Sequence, residues 1–123
     1  MKSYFSDQEL ACTCCGTYHF EPEFLYILNV IRQECGFALP VTSGYRCSKH
    51  PAEAAKKASG RPSGAHSRGL GVDIGVSHER AHRLIEVAIA HGVPRIGINQ
   101  KGLGRFIHLD IDTSLPSPTI WSY

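Results

Sequence analysis

Residues 60–75, GRPSGAHSRGLGVDIG, decide how the rest of the chain is read. They set His66 and Asp73 seven residues apart in a glycine-rich turn that runs into a short apolar strand, and a second histidine returns at His108 within RFIHLDID, residues 105–112. Two histidines and a carboxylate are a zinc ligand set. Structural zinc sites close their shell with four protein ligands, often cysteines, whereas three N/O ligands leave a position open for water or substrate. The set therefore points to hydrolysis rather than scaffolding.

Working outward, Leu70 to Val76 is apolar with Asp73 in its middle, the pattern of a buried strand whose one carboxylate needs a partner. Arg95–Asn99 and Arg105–Ile111 read as two strands joined by a turn of hairpin length. Along the second strand the pattern alternates, so His108 and Asp110 share one face and Ile107, Leu109 and Ile111 the other. His108 and Asp110 are then expected side by side over a cleft, roughly 7 Å apart at their backbones.

The helices are marked by spacing and punctuation. Phe24, Leu25, Ile27, Leu28 and Ile31 recur at intervals of three and four after Pro22, which predicts a helix from Pro22 to Cys35 ended by Gly36. Ser77 is the expected cap of a second helix with Ala81, Leu84, Ile85, Ala88 and Ile89 as its buried stripe and Gly92 as its stop. Leu39–Thr42 reads as a short strand delivering Ser43-Gly44-Tyr45-Arg46, and Pro51–Ala58 as a short helix of good formers. From Ser59 to Gly71 four glycines and Pro62 predict a non-helical connection. Residues 1–19 read as an irregular cysteine-rich segment with a capping box at Ser6 and Glu9, and residues 112–123 as a tail wrapped over the surface with Trp121 as anchor. The sum is one α+β domain over residues 1–123, a small mostly antiparallel sheet with flanking helices.

Composition narrows the function classes. A formal net charge of +2 in 123 residues is too small, and the basic residues too dispersed, for a nucleic-acid-binding stripe. No apolar run approaches the roughly 20 residues of a membrane span, and MKSYFSDQEL lacks the apolar core of a secretory signal. The expectation is a soluble monomer without membrane insertion or signal peptide.

These residues carry a resemblance. HSRGLGVDI, residues 66–74, resembles the His-x-x-Gly-x-Ala-x-Asp signature of the zinc D-Ala-D-Ala carboxypeptidase family, which includes phage endolysins and shares a fold with the hedgehog signalling domain; SGYRC upstream and FIHLD downstream stand in the family's order. The resemblance implies one catalytic zinc ion on His66, Asp73 and His108. It implies peptidoglycan peptides as substrate, bound by Ser43, Tyr45, Arg46 and Ser63, with Arg46 gripping a carboxylate or polarising a carbonyl. A phage-encoded protein, carried in the virion or released to the wall at lysis, is the setting it suggests. Three positions depart from the pattern: Gly71 stands in place of alanine, Gly64 in place of a serine two before the first histidine, and Arg105 where several members have a catalytic glutamate. The proton acceptor must then come from elsewhere, and Asp110 is the candidate base. An alternative role is open to Asp110 and Asp112, as acceptors that orient a ligand histidine through its other ring nitrogen. A catalytically weak or inactive wall-binding module on the same fold is the alternative to an enzyme.

Cys12, Cys14, Cys15, Cys35 and Cys47 are odd in number, so complete internal pairing is impossible. Two readings compete: a zinc knuckle, for which Cys35 and Cys47 are isolated singletons, and a disulfide from Cys47 to Cys12, Cys14 or Cys15.

Overall fold

The computed structural model describes residues 2–61 and 63–123, so Pro62 of the glycine-rich connection lies outside the described residues. Helix α1 (Asp7–Leu10) is the single turn expected from the capping box, with the Ser6 hydroxyl accepting the Glu9 N–H at 3.2 Å. Helix α2 (Pro22–Cys35) has the predicted bounds and ends at Gly36 in the left-handed region, φ 75°. Then come β1 (Val41–Ser43), α3 (Pro51–Ala58), a 3-10 turn over Ala65–Arg68, and β2 (Gly71–Ile74). Helix α4 (His78–Ala90), β3 (Arg95–Asn99), β4 (Phe106–Asp110) and β5 (Thr119–Ser122) complete the chain.

The strands form one sheet in the order β1-β2-β4-β3-β5, antiparallel except where β5 runs parallel to β3. The architecture is the expected α+β one. Its core lies between one face of the sheet and the helices: Val72, Ile74, Ile96, Ile107 and Leu109 meet Phe24, Leu28, Ile31, Leu84 and Val87, all buried. Each such side chain contributes about 1.5–3 kcal/mol by leaving water.

Three expectations are corrected. The C-terminal tail is not a surface wrap, because Thr119–Ser122 adds a strand to the open edge of β3, and pairing there satisfies backbone groups that a loop would leave to water. In α4 the Ser77 hydroxyl makes no capping bond; Val87 is buried instead of Ile89, which is exposed, since the helix rolls its Leu84–Ala88 stripe toward β4. The glycine-rich connection does contain helical structure, in the 3-10 turn that Gly69 ends at φ 70°.

The N-terminal segment, irregular in sequence, is held at two points. Asn29 is buried on α2 and bonds the Tyr4 N–H through its carbonyl oxygen at 2.7 Å and the Ser3 hydroxyl through its amide at 3.2 Å. Farther along, the Leu10 carbonyl accepts the Tyr45 N–H at 2.8 Å, and Gly44 lies so close that a Cβ on it would sit 2.3 Å from the Leu10 oxygen. That neighbour is backbone and cannot rotate away. Gly44→Ala should therefore destabilise the fold by about 1–3 kcal/mol or more, read as a lowered denaturant midpoint. An unchanged midpoint would show that α1 does not lean on this loop.

Candidate metal centre

The sheet register builds the site. Asp73 on β2 is the direct partner of His108 on β4, His108 faces Gly97 on β3, and Gly97 faces Trp121 on β5. Side chains one residue either side, Val72, Ile74, Ile107 and Leu109, point into the core, so the polar row occupies the opposite face. Gly97 is small for a reason: a Cβ there would lie 2.7 Å from the Trp121 indole, whose ring reaches across to His108 with centroids 5.3 Å apart. The 3-10 turn before β2 brings in His66.

Three ligand atoms converge. His66 Nε2 is 3.2 Å from His108 Nδ1 and 3.2 Å from Asp73 Oδ1, and His108 Nδ1 is 2.9 Å from the same oxygen. Ligands about 2.0–2.1 Å from a tetrahedral ion are about 3.3 Å from one another. The donor set and its spacing fit one zinc ion, which His66, Asp73 and His108 would hold, and all three residues line one pocket.

Each ligand is oriented from behind. His66 Nδ1–H donates to the Gly44 carbonyl at 2.8 Å, which leaves Nε2 as the free lone pair. His108 Nε2–H donates to Asp110 Oδ2 at 2.6 Å, which leaves Nδ1. The second oxygen of Asp73 accepts from Arg46 Nη2 at 3.1 Å, and Arg46 Nε donates to the Ser43 hydroxyl at 2.9 Å. Burial alone would raise Asp73, but the imidazoles of His108 and His66 hold it well below the usual carboxylate range. Burial pulls His66 below the ordinary imidazole range, toward the neutral form a metal takes; in His108 burial is outweighed by Asp110 and Asp73, which raise it.

Asp110, expected over a cleft as a base, is 1% exposed. Both of its oxygens are engaged: Arg95 Nε lies 2.9 Å from Oδ1, and Asp112 N–H donates to the same oxygen at 3.1 Å. Its carboxylate sits on the ring nitrogen of His108 that points away from Asp73 and His66. This geometry corresponds to the orienting role. Asp112 instead takes the Arg68 Nε–H and the Ser114 hydroxyl, tying the 3-10 turn to the end of β4.

Of the residues read as substrate-binding, Tyr45, Arg46 and Ser63 line a cleft of about 490 Å³ next to the metal pocket, together with Lys57, Arg61 and Ser67. Arg46 lines both cavities. Ser43 is turned inward as the acceptor for Arg46. Arg105 sits apart, near His78 and the Gly102 carbonyl.

Sequence reasoning passed over Glu53, Lys56 and Arg95, and read Trp121 only as an anchor of the tail, not as a residue of this site. Glu53, buried on α3, accepts from Lys56 Nζ at 2.8 Å and from the Gly64 N–H at 3.1 Å. The space that a side chain on residue 64 would fill is taken by Lys56 Nζ, 2.5 Å from where its Cβ would stand. The signal for Lys56 was therefore Gly64, a missing side chain. Arg95 is sandwiched between Asp110 and the Trp121 ring, 4.8 Å from its centroid.

A family model described as Peptidase M15 matches residues 3–110. No curated protein and no solved structure matches. Among the described residues no helix is long and apolar enough to cross a membrane.

If Asp110 orients His108, Asp110→Asn should weaken zinc affinity by about 10–100-fold, measured by competition with a chromogenic chelator. Full zinc affinity with a lost rate would restore Asp110 as a base.

Proposed function

The chain belongs to the peptidase M15 family, and from that premise we propose that it hydrolyses peptide bonds in bacterial peptidoglycan stem peptides or cross-links with a zinc ion on His66, Asp73 and His108. The observation that carries this reading is the convergence of three N/O ligand atoms, oriented from behind and open on one side to a cleft. An ion held there supplies Lewis acidity and a water of lowered pKa.

The chain's own residues supply position and charge. Gly44 and Asp110 fix the tautomers of His66 and His108, and Arg46 holds Asp73. Lys57 and Arg61 in the adjoining cleft suit the carboxylates of a wall stem peptide. Lys56 lines the metal pocket and fills the place of the side chain absent at Gly64, so in this reading its ammonium faces the developing negative charge on the scissile carbonyl. Action on the wall by a phage-encoded lysin or virion protein is the setting we infer from the motif resemblance.

One observation favours a second reading. The carboxylates lining the metal pocket are Asp73 and Asp110, and among the described residues both are already bonded on each oxygen or turned to a ligand. A site without a free proton acceptor suits a zinc-containing module that binds the wall and does not cut it.

Digestion of purified peptidoglycan followed by mass spectrometry of the released muropeptides separates the two. The enzyme reading expects new peptide termini, which also name the bond, absent with His66→Ala. Co-sedimentation with the wall without new termini would establish the binding module. Lys56→Met should lower the cleavage rate about a hundredfold with zinc content unchanged.

A further inference from the structure

Away from the histidine site, the sulfur atoms of Cys12, Cys15 and Cys47 lie within 4.8 Å of one another. Two come from one short loop and the third from the end of the SGYRC loop, 35 residues on from Cys12. Residues 12–16, CTCCG, contain a Cys-x-x-Cys-Gly turn. Its backbone is closed by the Gly16 N–H on the Cys12 carbonyl at 2.8 Å and the Cys12 N–H on the Thr17 carbonyl at 2.9 Å. Gly16 completes the turn at φ 75°, where a side chain would be strained. The turn aims both sulfurs at Cys47.

The surroundings favour thiolate. The Cys47 N–H points at the Cys12 sulfur at 3.4 Å, and the N–H groups of Cys14 and Cys15 are directed at the same atom. Amides converging on sulfur stabilise its anion, as they do for carboxylates. Three converged sulfurs, one of them met by backbone N–H groups, form a soft donor set of the kind that selects zinc. Cys14, in the same turn, stands outside this group of three. Cys35, at the end of α2, is outside it.

We propose that the sulfurs of Cys12, Cys15 and Cys47 hold a structural zinc ion that clasps the N-terminal segment to the loop carrying Gly44 and Arg46. Clustered cysteine sulfurs are the donor type of structural, non-catalytic zinc sites, in contrast to the N/O set of His66, Asp73 and His108. The clasp runs beside the Leu10–Tyr45 backbone bond and holds the loop whose carbonyl and guanidinium orient His66 and Asp73. Of the two readings of these cysteines, the knuckle is disfavoured in sequence because Cys47 is an isolated singleton; the fold brings it to Cys12 and Cys15.

The test is metal content and spectrum of the full chain prepared under reductant, stripped by a chelator and reloaded with cobalt(II). The wild type should bind two equivalents and show thiolate-to-cobalt charge-transfer absorption in the near ultraviolet. Cys12→Ser and Cys47→Ser should each fall to one equivalent and lose that absorption, while Cys35→Ser keeps both. His66→Ala should also fall to one equivalent but keep the absorption, so failure of either site is read independently of the other. A wild-type protein with one equivalent and no charge-transfer absorption would overturn the proposal without recourse to any variant. So would peptide mapping that finds Cys47 in a disulfide in the metal-loaded protein.

Discussion

The cross-strand pairing of Asp73 with His108 is the constraint on which the site depends. Side chains alternate along a strand, so a slip of one residue between β2 and β4 would turn one of the two into the core and bring Val72 or Leu109 out in its place. The register is held from the other face, where Val72 lies opposite Leu109 and Ile74 opposite Ile107, all fully buried. The apolar core and two of the three candidate metal ligands, Asp73 and His108, are thus two sides of the same four residue pairs, with His66 added by the 3-10 turn. Burial of the aliphatic face keeps the ligand atoms of the polar face near 3 Å from one another.

Such a row is costly unless every member is paired, since an uncompensated buried charge costs several kcal/mol. The structure meets this with charges that alternate outward from the centre. Asp73 lies between His108 and Arg46, Asp110 between His108 and Arg95, and Glu53 near Arg46 and Lys56. Among the described residues no buried side-chain nitrogen or oxygen lacks a hydrogen-bond partner. Asp110 is thereby held against the ring of His108 and Asp73 against Arg46, and the same saturation leaves neither carboxylate unpaired.

The sequence was most informative where structure is local. Helix α2 follows from Pro22, an apolar spacing of three and four and Gly36, all within 15 residues, and its bounds agree with the reading. Alternation in FIHLD placed His108 and Asp110 on one face. It could not tell which imidazole nitrogen Asp110 would meet, because that depends on Arg95 from β3 and on the backbone beyond β4. Strand β5 went unread since TIWS has no pattern of its own and is ordered by the free edge of β3. Trp121 is where it is because Gly97 leaves room, and Lys56 because Gly64 does. In both cases the informative residue is a glycine far from the side chain it admits.

The loop from Ser43 to Cys47 shows why the N-terminal segment matters to a site it does not line. Five consecutive residues have separate attachments. Ser43 receives Arg46, the Gly44 carbonyl receives His66, the Tyr45 N–H goes to Leu10, Arg46 reaches Asp73, and the Cys47 N–H goes to Cys12. Two of these go to the candidate metal ligands, two to the N-terminal segment, and one, Ser43 to Arg46, lies within the loop and positions the guanidinium. β1 is three residues long and at the sheet edge, too short to fix the loop by pairing alone. The opposing attachments therefore determine the loop's position: any loosening at Leu10 or Cys12 is transmitted through Gly44 and Arg46 to the orientation of His66 and Asp73.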